Sequence, residues 1–364
     1  MKATVDPSIM KKVLKSISPV ISKNVVLPVL ECIKMDFKDN QLTITGTNLN
    51  TEISVVTQCE APKDFSLIMS ADTLLDICDK AEGSLLIEQK KDSIKVSHNR
   101  AKFNLPIYGE PEIFPKMGTD DYFITFNAEG DFFYSLNGAN ECGAKGHNLS
   151  EAQIQNCVID FKESGITIFA TDRSVVYKKD IPIACNKKTS AHLGTHFASL
   201  TKSFQSSEVS VGEKFISATY GNISVTSRLS ESMYVDYSVI LPKKPVVFNV
   251  LVSRVDIIKS IQILGVSADK RNGDIIFKFR QNEIVLEAYD SNYGISGETF
   301  MPASHNIDDT MEPIRLSGSR LISLLSTIID ENVKMSFEDP KSFVYIQPEE
   351  DQNTLLYIAP LAII

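Results

Sequence analysis

His192 and His196 stand four residues apart, the spacing that on a helix turns two imidazoles to one face where they could hold a metal ion. No glutamate follows His192 as in a zinc-hydrolase motif, so the two read as a surface pair at a helix start. His98, His147 and His305 stand alone and read as solvated or hydrogen-bonded side chains, and no nucleophile, base and acid can be assembled into a triad around them. The chain has no GxSxG elbow, no GxxxxGK[ST] phosphate loop and no GxGxxG after a strand; the glycines at 294 and 297 lack both the spacing and the following helix. Asp172 and Asp290 follow corresponding strand patterns, with Asn48 in the third such place, and read as Asx-type turns whose side chains accept backbone N–H groups. Cys32, Cys59, Cys78, Cys142, Cys157 and Cys185 include no CxxC pair, so they read as reduced, buried thiols. Catalysis, metal binding and cofactor chemistry thus have no visible seat.

What remains is binding chemistry. Lys11, Lys12 and Lys15 share one amphipathic segment, and Arg254 and Lys259 another, with Lys270 and Arg271 just beyond; such charges can track phosphates, because neutralising a phosphate releases counterions. The pattern is not uniform: Glu129, Asp131 and Glu141 outweigh Lys145 in a third segment, and Asp72, Asp76 and Asp79 make another acidic. The chain ends on apolar residues, Thr354 to Ile364, without a charge. Leu355 to Ile358 read as a last core strand, and Pro360 to Ile363 as an exposed apolar surface suited to a partner peptide.

The elements that position these residues repeat. DNQLTITGTNLNTEISV from Asp39 to Val55 is a polar turn, an alternating strand, a second turn and another strand, and the plan recurs from Glu163 to Ile181 and from Gln281 to Phe300. Anchored on Thr47, Thr171 and Tyr289, the period is about 120 residues. Leu74, Phe197 and Leu321 give the same period, each followed three residues later by Ile77, Leu200 or Leu324 on one helix face. Each repeat opens with its own amphipathic helix, over 7–18, about 128–144 and 253–267. The expected fold is α+β: three tandem repeats, 1–121, 122–246 and 247–364, each of antiparallel sheet with two helices packed on one side.

The bulk properties agree. The 364 residues carry 37 Lys+Arg and 46 Asp+Glu, for a net charge of −9, enough length for two or three domains. No apolar run approaches the ~20 residues that span a bilayer, and the lysine-interrupted N-terminus does not read as a signal peptide, so a cytoplasmic protein with no membrane partner is expected.

Three such repeats, with Leu27-Pro28-Val29-Leu30 early, the turn of Gly46-Thr47-Asn48, Ala170-Thr171-Asp172 in the second repeat, Phe103-Asn104-Leu105 closing the first, and Thr226-Ser227-Arg228-Leu229 followed by Asp236-Tyr237 and Leu241-Pro242-Lys243, resemble the bacterial DNA polymerase III sliding clamp (beta subunit) family across the whole chain. The resemblance implies the DNA clamp fold, assembled as a head-to-tail homodimeric ring that encloses double-stranded DNA without sequence preference, tethers the replicative DNA polymerase, is opened by a clamp loader, is nucleoid-associated in the cytoplasm, and needs neither cofactor nor metal. An acidic total charge is compatible with this, since only the lining must be positive.

By position, the DNA-facing residues implied are Lys11, Lys12, Lys15, Asn24, Lys145, His196, Lys202, Arg254, Lys259 and Arg320. The dimer interface implied pairs an edge strand with Arg100, Lys102, Phe103 and Leu105 against Ile263, Leu264, Val266, Asp290 and Glu298 of the other subunit. The partner-peptide groove implied comprises Ile154, Thr171, Arg173, Val175, Val176, Val239, Ile240, Pro360, Leu361 and Ile363. The chain departs from the family in Arg173-Ser174-Val175, where Gly-His-Arg is usual, in Val235 before Asp236-Tyr237, in Ala359 and Leu361 where the tail carries methionines, and in a shortening around 266–271. The rival expectation is a clamp-fold interaction or decoy protein that binds replication partners without loading on DNA, which the acidic helices at Asp72 and Glu129 favour.

Overall fold

The computed structural model describes residues 1–21, 26–118, 120–143, 157–231, 246–268 and 273–361. Its six described helices fall two to each third of the chain. Helix α1 (Pro7–Ile17) begins where Asp6 accepts the N–H groups of Ser8 (2.7 Å) and Ile9 (3.3 Å), with Pro7 supplying a preset φ at the first position. Met10, Val13, Leu14 and Ile17 then bury one face at the spacing the sequence pattern demands. Helices α2 (Ala71–Lys80) and α5 (Arg254–Leu264) start the same way, capped by Ser70 and Ser253, whose hydroxyls accept N–H groups at 3.3 Å. Helices α3 (Gly130–Cys142), α4 (Thr195–Thr201) and α6 (Gly318–Leu325) complete the set.

Two of the opening helices are shorter than expected. Residues 128 and 129 belong to the strand Ile124–Glu129, because Ile124, Phe126 and Ala128 are buried alternately, a period of two, and the helix begins only at Gly130. At the other end, α5 stops at Leu264, where Gly265, a poor helix former, donates its N–H to Ile261 O at 2.9 Å.

The described strands form three antiparallel sheets. The compact unit Met1–Phe133 with Leu193–Ser230 holds two of them. One has eight strands, and within it Thr51–Gln58 of the first third pairs with Ile223–Arg228 of the second. The other has four strands and ends on Ala101–Leu105. The unit Tyr134–His192 with Glu231–Ile364 holds a twelve-stranded sheet, in which Val175–Ile181 of the second third pairs with Thr354–Ile358 of the last. The compact units therefore cut the chain differently from its repeats: a sheet runs from one repeat into the next, and strands of the middle third contribute to both.

Candidate functional site

A five-residue turn recurs between the two strands of the repeated stretch. In the second repeat, Thr171 Oγ1 donates to Val175 O (2.7 Å) and accepts the Arg173 N–H (3.0 Å), while Asp172 Oδ1 accepts the N–H groups of Ser174 and Val175, both at 2.8 Å. In the first repeat, Thr47 Oγ1 donates to Thr51 O (3.0 Å) and accepts from Leu49 (3.1 Å), and Asn48 Oδ1 accepts from Asn50 (3.0 Å) and Thr51 (2.7 Å). Both turns force a non-glycine residue left-handed, Leu49 at φ +72° and Arg173 at φ +77°, which the side-chain bonds on either side hold in place. The third repeat keeps half of the device: Asp290 Oδ1 accepts from Asn292 (2.9 Å), but Tyr289 replaces the threonine, and Gly294 supplies the left-handed residue at φ +66°.

The second-repeat turn is the part of the expected groove that the structure assembles. Ala359 N–H donates to Ser174 O and Leu361 N–H to Arg315 O, each at 2.7 Å, so the chain end is pinned to the turn on one side and to the strand Ile314–Ser317 on the other. Thr171, Val175 and Val176 are buried, Pro360 and Leu361 are half-buried, and Arg173 is exposed. Val176 lies opposite Tyr357 in the sheet, and the two pack with Phe169 beside Phe343, Tyr345 and Leu355. The Tyr357 hydroxyl is buried without a hydrogen-bond partner among the described residues, and burial pushes its pKa well up. Val175 instead lines a pocket of about 290 Å³ with Glu141, Asp172, Arg320, Ser323 and Leu324. Ile154, Val239, Ile240 and Ile363 lie outside the described residues, as do Asn24, Lys145, His147, Val235, Lys270 and Arg271.

Of the cations expected to face DNA, Lys12, Lys15, Lys202 and Lys259 are exposed and His196 is half-buried. Three others have partners within the chain. Lys11 Nζ lies 2.7 Å from Asp79 Oδ1, tying α1 to α2, and its ammonium holds the Asp79 carboxyl below the usual range. Arg254 Nε donates to Asp330 O at 2.7 Å and its Nη atoms reach the Leu325 and Ile329 carbonyls at 3.5 Å, so it ties the start of α5 to carbonyls at and beyond the end of α6. Arg320, on the first turn of α6, lies with Nε 3.2 Å from Asp172 Oδ2 and belongs to the turn just described. All three were expected to face DNA; each also has a partner within the chain, and nothing in the sequence could signal partners that sit 68 to 148 positions away.

The expected interface residues divide by burial. Ala101–Leu105 pairs only with Ile94–His98, leaving its other edge open among the described residues, with Arg100, Lys102 and Phe103 exposed. Phe103 borders a largely apolar pocket of about 380 Å³ with Ile77, Ala81, His98 and Ala101. On the strand Ile295–His305, only Ala303 to His305 pair with Phe248–Ser253, so the earlier residues also present an open edge, with Glu298, Ile295 and Phe300 exposed. Sequence reading missed Phe300 and Ile295, which lie five positions apart and share no strand face, so no period-two pattern marks them. Ile263 is 68% and Val266 82% exposed, whereas Leu264 is 3% exposed on the core face of α5 with Ile257 and Ile261, and Asp290 is buried and spent on its turn. Leu264 and Asp290 are therefore corrected to core and turn residues.

His192 lies in the strand Thr189–Leu193 and is buried, which pushes its pKa down, while His196 lies in α4, so the pair does not share a helix face. Among the described residues no group of three His, Cys, Asp or Glu side chains is placed to hold a metal ion.

Residues 1–117 match the family model for the DNA polymerase III beta subunit, N-terminal domain. Over nearly its full length the chain is 24% identical to the beta sliding clamp of Buchnera aphidicola subsp. Acyrthosiphon pisum, covering 99% of both chains. It is 22% identical to that of Pseudomonas putida, covering 99% of this chain and 100% of the relative. Solved structures of the same fold include the Pseudomonas aeruginosa sliding clamp bound to griselimycin, with TM-score 0.90 and 17% identity over 100% of both chains. The Bacillus subtilis sliding clamp superposes with TM-score 0.89 at 14% identity, again over 100% of both. The fold is thus the α+β clamp fold, three domains of antiparallel sheet with two helices each.

Proposed function

From its full-length homology to the beta sliding clamps, the DNA polymerase III beta subunit family, we propose that this chain is a DNA sliding clamp: a non-catalytic accessory subunit of DNA replication that confers processivity by enclosing duplex DNA. The single observation that carries the reading is the match of the whole chain, in sequence and in fold, to proteins of that one description.

In this reading the repeats 1–121, 122–246 and 247–364 are the clamp domains, and two subunits close head to tail. The open edge at Ala101–Leu105, flanked by Arg100 and Lys102, complements the open edge before Ala303, which carries Glu298. Open edges are a liability in a monomer, and pairing them removes it. The Thr171–Val175 turn and the pinned chain end form part of the groove for a peptide of the replicative polymerase and clamp loader. Lys12, Lys15, Lys202 and Lys259 face the phosphates, an enclosure that needs no base contact. A cytoplasmic, nucleoid-associated location follows from the partner; none of the described helices is long and apolar enough to cross a membrane.

One observation favours the decoy reading: Lys11, Arg254 and Arg320 are spoken for inside the chain, which thins the positive lining. Retention after loading onto nicked circular DNA decides between them. A ring stays on the circle at moderate salt and slides off once the DNA is linearised; a decoy is never retained, although it binds the polymerase. Retention that is insensitive to linearisation would sink the enclosure mechanism.

A further inference from the structure

The turn at Asp172 does more than its counterpart needs. Asn48 makes the same two bonds to backbone N–H groups with an amide oxygen alone, so the turn itself requires no carboxylate and no second oxygen. Asp172 has both, and Oδ2 goes to Arg320 at 3.2 Å. Arg320 sits on a helix with little freedom: a Cβ on Gly318 would lie 2.8 Å from Ile261 Cγ2 and 3.0 Å from Gly273 O, so the start of α6 is packed hard against its neighbours. Leu361 N–H is tied to Arg315 O, three residues before that start, and Ala359 N–H is tied to Ser174 O, in the turn.

Turn, chain end and α6 thus form a closed circuit. Two of its links are backbone bonds that any sequence could make, and the third is the Arg320–Asp172 pair. Resting on the partner-groove reading above, we propose that Arg320 is a positioning residue for that groove: through Asp172 it fixes the Thr171–Val175 turn against the chain end, setting the surface offered to a partner peptide, and it does not serve the DNA. The pocket shared by Val175, Arg320 and Leu324 lies at this junction, so a shift of the turn alters its walls directly.

The test uses Arg320→Ala, Asp172→Asn, the double variant and Arg320→Lys in the full-length protein, read by amide hydrogen exchange, affinity for the purified replicative polymerase, and retention on circular DNA. Asp172→Asn keeps the turn, as Asn48 shows, and removes only the ion pair. Each single variant is expected to speed exchange at Ala359 and Leu361 about three- to fivefold, the scale of a partly exposed ion pair. The Arg228 amide, bonded to Asn50, serves as unchanged reference. The double variant should go no further than either single one, Arg320→Lys should restore most of the protection, and polymerase affinity should fall in step while DNA retention holds. Unchanged exchange at Ala359 and Leu361 overturns the inference, as does loss of DNA retention in Arg320→Ala but not in Asp172→Asn. If the amides respond but the unsubstituted chain does not bind the polymerase, the coupling stands and the groove reading falls.

Discussion

Ala359 donates its backbone N–H to the carbonyl of Ser174 at 2.7 Å. One repeat earlier, Arg228 makes the same bond to Asn50 at the same distance, so each exit strand is fastened to the preceding turn at an equivalent atom. This fastening occurs twice among the described residues, and at Ser174 it leaves Pro360 and Leu361 half-buried beside the turn.

Deleting residues 360–364 should therefore abolish polymerase binding while leaving the melting temperature within a few degrees, since the strand Thr354–Ile358 and its pairing on both sides remain. Unchanged affinity in a pull-down with the polymerase would remove the groove assignment.

The two open edges make a second expectation. Phe103→Ala combined with Leu105→Ala removes the large apolar side chains from one, and Phe300→Ala removes the aromatic from the other. Burying a side chain of this size contributes about 1.5–3 kcal/mol, so the pair should weaken self-association by about a hundredfold or more, read by sedimentation velocity across a dilution series. Intact dimers of the double variant at nanomolar concentration would move the interface elsewhere.

Gly318→Ala tests the packing that holds α6. The new methyl would meet Ile261 Cγ2 at 2.8 Å, Ile275 Cγ1 at 2.9 Å and the Gly273 carbonyl at 3.0 Å, and the last is backbone that cannot rotate away. The gain in helix propensity is outweighed by overpacking, for a net loss of about 1–3 kcal/mol in a urea titration. A variant as stable as the parent would show that the helix start can shift, and would weaken the case that Arg320 is held rigidly.

Local features were legible in the sequence, and distant pairings were not. Helix α1 follows from Asp6, Pro7 and the spacing of Met10, Val13, Leu14 and Ile17, all within twelve residues. The Asx turns at Asn48, Asp172 and Asp290 were readable because the accepting side chain and its N–H donors lie two or three positions apart. Arg254 and Arg320 read only as charges, because the carbonyls and carboxylate that engage them come from elements far along the chain. Leu264 was misplaced although Ile257 and Ile261 gave its helical phase; Val255 and Ile258, three residues apart, offer a competing apolar row, and only the packing of α5 on its sheet decides between them.

The thiols give a prediction with a definite sign. All six cysteines are buried and none forms a disulfide, and burial pushes the Cys32 and Cys78 thiols up to about 12, with Cys59, Cys157 and Cys185 also raised. The native protein at pH 8 should show no thiol reacting with a disulfide reagent within minutes, and six after unfolding in guanidinium. Because the folded state keeps these protons longer than the unfolded chain, whose thiols titrate near about 8.5, their stabilising effect is complete below that pH and is lost as pH rises toward the folded values. Unfolding free energy should fall between about pH 9 and 11 at up to about 1.4 kcal/mol per pH unit for each such thiol, and Cys78→Ala should flatten the slope by one thiol's share. A slope that Cys78→Ala leaves unchanged would mean that its thiol ionises as readily in the fold as outside it, contrary to the burial that surrounds it on α2.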